Sequence, residues 1–253
     1  SNNQMVKALL TAPFPYFGGK SRACAPVWAA FGEVKNYVEP FCGSAAMLLG
    51  APEGKRIETI NDADGFVANF WRAVSKDDAA VAEALDWPTN ETDLFARHMW
   101  LVQQSEGLLA RLHADPDYYD ARIAGWWAWG ACNWIGSGWC SGKGPWTLVD
   151  GAVVRNAGQG VNRQLPHLGD AGRGVDRQLP PLGDAGRGDF IRDWLSKLGA
   201  RLRDVRVTCG GWQRVLTDSV TTRHGLTGVF LDPPYTKGAM DYAAGGGGGD
   251  LAN

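Results

Sequence analysis

The chain has no excess of charge of either sign. Across 253 residues the formal charge is −2. A global basic footprint is excluded, so any nucleic-acid contact must come from a local patch. There is no long apolar run and no signal-peptide pattern, and no membrane span is expected. Cysteine is sparse and odd in number: Cys24, Cys42, Cys132, Cys140 and Cys209. No pair is spaced for zinc with a second pair or with His partners. They read as reduced thiols of a cytoplasmic protein, and no metal is expected.

What is present is ordinary in bulk. Hydrophobic residues are 45% and charged residues 21%, as in globular proteins. The length allows one large domain, or one domain with an insertion. Twelve tryptophans and 34 glycines are high.

The reading is organised around Gly228-Val229-Phe230-Leu231-Asp232-Pro233-Pro234-Tyr235. Val229 to Leu231 predict a buried strand. The prolines cannot donate to a ladder, and Pro233 keeps Asp232 out of helical geometry. The expected result is a rigid loop at a strand's carboxyl end, where open α/β sheets bind ligands. One reading is a plain strand-to-loop turn, since Asp-Pro is common there. The other is methylation of an exocyclic amino group. Such an amine is a poor nucleophile because its lone pair is delocalised into the ring. The Asp232 carboxylate and the Pro233 carbonyl, accepting its two hydrogens, favour an sp³-like nitrogen. Tyr235 is placed to stack on a base swung out of a duplex.

Three earlier stretches bear on this. In Pro13-Phe14-Pro15-Tyr16-Phe17-Gly18-Gly19-Lys20, the glycines permit close approach, and a helix is predicted from Ser21 to about Phe31. Lys20 at that helix start opposes the dipole and points to an anionic neighbour. A glycine turn beside a surface lysine is the plainer meaning. Tyr37 to Ser44 reads as strand, turn and the start of a helix at Ala45 to Leu49, although the turn is not Gly-x-Gly-x-x-Gly. Glu39 at the strand end is a candidate anchor for a cationic ligand. Ile57 to Asn61 predicts the next strand, and Asp62 follows it. An acidic residue there can accept both hydroxyls of a ribose, or cap the helix from about Gly65 to Val74; Asp64 is a second cap candidate.

Pro15-Tyr16-Phe17-Gly18-Gly19-Lys20, Glu39-Pro40-Phe41-Cys42-Gly43-Ser44, Asn61-Asp62 and Asp232-Pro233-Pro234-Tyr235 occur in this order. The order resembles that of Dam-like, D12 class DNA adenine N6-methyltransferases, of a phage-type, C-terminally shortened kind. The resemblance implies an α/β fold: a Rossmann-like S-adenosylmethionine-dependent methyltransferase sheet with an inserted, mainly helical and loop-rich target-recognition region. It implies S-adenosylmethionine as cofactor and double-stranded DNA as partner. The stretch at Tyr16, Phe17, Gly18, Gly19 and Lys20 would line the cofactor site. Glu39, Pro40, Phe41, Cys42, Gly43 and Ser44 would wrap its methionine half, and Asp62 would hold its ribose. Asp232, Pro233, Pro234 and Tyr235 would form the catalytic loop. The family often has an Asp near Gly211 that helps hold the adenine, and this chain has none.

The boundaries expected are 1–76 for the cofactor-binding part, 77–188 for the insertion and 189–253 for the catalytic part. Helices are predicted over Asp77 to Asp86, Leu94 to Leu112, Tyr118 to Ala131 and Asp189 to Leu202. In the tryptophan-rich block after Gly125, Trp126, Trp127 and Trp129 read as core. Asn133, Trp134, Trp139 and Lys143 are candidates for facing DNA; packing is the alternative for the tryptophans. Residues 160–187 hold a tandem near-copy, Gly160 to Arg173 and Gly174 to Arg187, rich in Gly, Pro and Arg. Arg163 and Arg177 there suit phosphates or a groove edge, or the segment is a solvated loop lengthened by duplication.

Four parallel strands are expected, at 36–39, 57–61, 205–209 and 228–232. The catalytic strand then lies at a sheet edge, a hazard that sequences usually manage. After Tyr235 only a glycine-rich stretch remains. A shortened chain, a degenerate gene, or an edge covered by another chain or by the chain's own helices all fit. The expected activity is site-specific methylation of adenine N6 in a bacterial or phage-infected cell, in a restriction-modification or phage setting. A catalytically impaired relic or DNA-binding module of the same fold, and a cytosine N4-methyltransferase, are the alternatives.

Overall fold

The computed structural model describes residues 10–16, 20–134, 138–140, 146–149, 152–155 and 188–234. Their elements run in the order α1 (Ser21–Phe31), β1 (Asn36–Glu39), α2 (Ala46–Leu49), β2 (Ile57–Asp62), α3 (Gly65–Leu85), α4 (Glu91–Ala114), α5 (Ala121–Asn133), β3 (Trp146–Val149), β4 (Ala152–Arg155), α6 (Gly188–Leu202), β5 (Arg206–Cys209) and β6 (Thr227–Val229). Two short 3-10 turns, Trp212–Val215 and Thr222–His224, precede β6. This is a mixed α/β fold with a parallel four-stranded sheet among the described residues, ordered β5-β2-β1-β6. It is consistent with a methyltransferase fold.

The order of the strands creates the site. From β1 the chain steps to β2 and then β5 on one side, while β6 lies on β1's other side. The direction reverses at β1, so a crevice opens between the carboxyl ends of β1 and β6. Among the described residues β6 pairs only with β1, which makes it the expected edge strand.

β6 is shorter than expected. Its ladder ends with Val38 opposite Val229 and a last bond from Phe230 N to Val38 O at 3.0 Å. The next bond of a parallel ladder would run from the N–H of residue 40 to the Phe230 carbonyl. Residue 40 is proline and has no N–H, so the ladder stops. Leu231, expected inside a buried strand, is 56% exposed.

Helix α3 is two helices meeting at a kink, as expected over residues 65–74 and 77–86. Asp64 caps its start by accepting from Phe66 N at 2.8 Å. Asp77 breaks it with φ −152° and ψ 60°, and its side chain accepts from Ala80 N, re-capping the second half. Helix α5 begins at Ala121 rather than Tyr118, because Asp120 accepts from Ile123 N and so sits at the cap.

Close backbone approach holds the helices to one another. A Cβ on Gly125 of α5 would lie 2.5 Å from Ala84 Cβ, and one on Gly199 of α6 would lie 3.0 Å from the Val74 carbonyl. Arg72, buried in α3, donates to the carbonyls of Val207, Asp115 and Tyr118. One guanidinium thus ties a helix, a strand and a turn.

Candidate active site

The first wall is the strand β1 and its exit. Glu39 is buried at the carboxyl end of β1 and accepts the Tyr37 hydroxyl at 2.9 Å and the backbone N–H of Leu48. Tyr37 stands two residues earlier on the same face, a strand-period relation that the sequence reading missed. Burial pushes the Glu39 carboxyl up to about 8, and the nearby charges of Asp62 and Asp232 push the same way. Glu39 makes no ion pair among the described residues.

The turn that follows is held from several directions. Cys42 N donates to Asn61 O at 2.9 Å, and Ala45 N to Cys42 O at 2.6 Å. Asn61 Nδ2 donates to the carbonyls of Pro40 and Gly210, while its Oδ1 accepts from Thr208. Trp71 Nε1 donates to Gly43 O at 2.7 Å. Gly43 adopts φ 46° and Ala45 φ 52°, the left-handed region that glycine enters freely. A Cβ on Gly43 would come within 2.3 Å of Tyr16 Cε1, so the Tyr16 ring lies directly on the glycine. Phe41 and Ser44 are half-buried on the same turn.

Asp62 ends β2. Its Oδ2 accepts from Gly43 N at 3.0 Å and its Oδ1 from Asp64 N at 2.9 Å. Burial raises it to about 6, against those backbone donors. The helix cap is Asp64, so Asp62 is not used as one; Cys42 Sγ also lies 4.0 Å from its Oδ2.

The second wall is the stretch before α1. Phe14 is buried among Phe70, Trp71 and Trp127, with ring centroids 4.9, 5.8 and 4.8 Å away. Cys132 Sγ donates to Pro13 O, which fastens the same stretch to α5. This anchoring places Tyr16, 42% exposed, over Gly43. Beyond it, Lys20 Nζ lies 3.2 Å from Asp232 Oδ1. The anionic neighbour that the lysine's position called for is the carboxylate at the exit of β6. Pro233 and Pro234 are exposed beside it.

The structure therefore brings together Tyr16, Lys20, the 39–44 turn, Asp62 and Asp232. Phe17, Gly18, Gly19 and Tyr235 lie outside the described residues, as do Lys143, Arg163 and Arg177. Asn133 donates to Trp129 O and accepts from Thr89 Oγ1. Trp134 stacks on His98 at 4.7 Å, and Trp139 donates to Trp127 O while its ring covers Gly130. Trp127 and Trp129 are core, as expected, and Trp126 is half-buried.

A cleft of about 610 Å³ lies at the opposite end of the sheet, lined by Lys35, Arg56, Glu58 and Arg201 among others. Its buried Glu58 is already compensated by Arg56 and Arg201, and it is far from the motif residues along the strands. Among the described residues no group of three His, Cys, Asp or Glu could hold a metal ion, and no helix is long and apolar enough to cross a membrane.

Comparison with known proteins bears on the near wall of this crevice. Residues 16–111 match the family model described as D12 class N6 adenine-specific DNA methyltransferase. The matched stretch contains Tyr16, Lys20, the 39–44 turn and Asp62; β6 and its exit lie beyond it. No curated protein matches the chain. Over residues 16–111 the chain is similar to the D12 class of N6 adenine-specific DNA methyltransferases.

Proposed function

We propose that the crevice between β1 and β6 binds S-adenosylmethionine and an extruded adenine of double-stranded DNA, and that Asp232 and the Pro233 carbonyl accept from the adenine N6 amine. The observation that carries this is the 3.2 Å approach of Asp232 to Lys20, which joins the β6 exit to the family-matched wall. The residues present suit the cofactor. Glu39 is a buried carboxyl without a described cation, and a cationic ligand supplies one. Asp62 has acceptor capacity for a ribose, and Tyr16 with the 39–44 turn offers an apolar edge. When bound, S-adenosylmethionine supplies an electrophilic methyl group on a sulfonium.

The chain's own work is alignment and acceptance. Asp232 and the Pro233 carbonyl draw the two N6 hydrogens and return lone-pair density to nitrogen. With the cofactor bound, the nitrogen would form the new N–C bond as the methyl C–S bond broke, that electron pair staying with sulfur. The excess proton on N6 leaves to Asp232 or to water. Holding amine and methyl in line supplies most of the acceleration. Tyr235 stacks on the base.

Region 77–188 is read as target-recognising, with Asn133, Trp134, Trp139, Lys143, Arg163 and Arg177 toward DNA, between a cofactor-binding part and a catalytic part. A partner chain on the open edge of β6 and a bacterial or phage-infected cell belong to the same reading.

The test is transfer of labelled methyl groups to unmethylated DNA, followed by digestion to nucleosides. N6-methyl-2′-deoxyadenosine is expected, and Asp232→Ala should abolish it while cofactor binding stays largely intact. N4-methyl-2′-deoxycytidine as the product, or equal methylation by the variant, contradicts the reading.

A further inference from the structure

We propose that Lys20 is a positioning residue for methyl transfer, acting on the amine through the carboxylate of Asp232 and not through the cofactor. The inference rests on the reading of Asp232 as the amine's acceptor.

The argument starts at the helix. Lys20 is the N-cap of α1 and makes no side-chain cap hydrogen bond; the first turn holds no acidic residue. An ammonium at the positive end of a helix is unfavourable. Nothing local in α1 compensates it, and the compensation comes from Asp232, distant in sequence. The two side chains are 37% and 25% exposed, so the pair is neither sealed from solvent nor fully screened by it.

The argument is completed at the loop. The ladder that would fix the β6 exit stops at Phe230, because Pro40 cannot donate. Leu231, Pro233 and Pro234 are exposed. The prolines restrict backbone geometry but leave the Asp232 side-chain torsions open. Among the described residues, Lys20 is what restrains the carboxylate. It engages Oδ1, and Oδ2 carries no partner among the described residues. One oxygen is held and the other left to accept.

The test uses the full chain with Lys20→Met, Lys20→Gln and Lys20→Arg, each measured for kcat, for equilibrium affinity toward S-adenosylmethionine and for unfolding midpoint. Lys20→Met and Lys20→Gln are expected to lower kcat about a hundredfold, the scale of a misplaced reacting group. Cofactor Kd should stay within about twofold, since the ion pair is not a cofactor contact. Lys20→Arg keeps the charge and should recover about tenfold of the loss. A Kd weakened about tenfold with kcat unchanged overturns the proposal and makes Lys20 a cofactor contact. Full kcat with unchanged Kd in both neutral variants overturns it as well. Should one neutral variant unfold, the other and Lys20→Arg decide. Full activity of Asp232→Ala, in contrast, sinks the reading of Asp232 and leaves the Lys20 measurements to be explained anew.

Discussion

The two walls of the crevice are built differently. The turn after β1 is held by Asn61, Trp71, Asp62 and its own backbone, all buried or nearly so. The exit of β6 is exposed, leaves its ladder early, and is tied across the crevice by one partly exposed ion pair. The wall assigned to the cofactor is preformed, while among the described residues the wall assigned to the base is restrained at a single point. A preformed site loses little entropy when ligand binds. A wall that must admit a flipped base needs room to adjust.

Each prediction strains this contrast. Asn61→Ala removes three hydrogen bonds and leaves the Pro40 and Gly210 carbonyls without their donor. A loss of about 3 kcal/mol in denaturant unfolding is expected, at about 1 kcal/mol per bond. A loss below about 0.5 kcal/mol would mean the turn is not held as described. Gly43→Ala forces a side chain into left-handed geometry and against the Tyr16 ring. It should cost about 1–3 kcal/mol and weaken cofactor binding, as calorimetry would report.

Next comes pH. The Glu39 carboxyl has an ordinary value of 4.5 and is raised to about 8 in the fold. The folded state therefore holds a proton that the unfolded state releases, and stability falls as pH rises from about 4.5 toward about 8. A cationic ligand favours the carboxylate, so its binding releases that proton. Affinity for S-adenosylmethionine should strengthen up to about tenfold per pH unit in this window, levelling near pH 8. Calorimetry in buffers of different ionisation enthalpy counts the proton, and Glu39→Gln should remove the dependence. The smallest effect is Pro40→Ala, which restores the N–H facing the Phe230 carbonyl. One added bond should stiffen the exit and stabilise by about 0.5–1.5 kcal/mol, less any loss of turn rigidity. Hydrogen exchange at residue 40 would show protection of the new amide.

Much of the fold was legible because its signals are local. β1, β2 and β5 are short runs ending in turns, and α1 and α6 have regular apolar spacing. The motif residues converge because parallel strands put their exits at one end of the sheet. What escaped depends on partners far away in sequence. The early end of β6 is caused by Pro40, on a neighbouring strand. The start of α5 depends on Asp120, whose backbone exchanges hydrogen bonds with Asn69 of α3. The pairing of Lys20 with Asp232 was foreshadowed by an unfavourable charge at a helix start, but its partner was not. The β3–β4 hairpin, with Val149 opposite Ala152, was missed although Asp150-Gly151 between two β-branched runs is a strong hairpin signal.

The division of labour between the walls is tested most directly by setting Asp232→Ala beside Glu39→Gln in single-turnover methyl transfer, with cofactor affinity measured on the same preparations. Asp232→Ala should slow transfer at saturating cofactor about a thousandfold or more with affinity kept, whereas Glu39→Gln should weaken affinity with the saturated rate kept. Loss of rate and affinity in the same proportion in both variants would contradict the account.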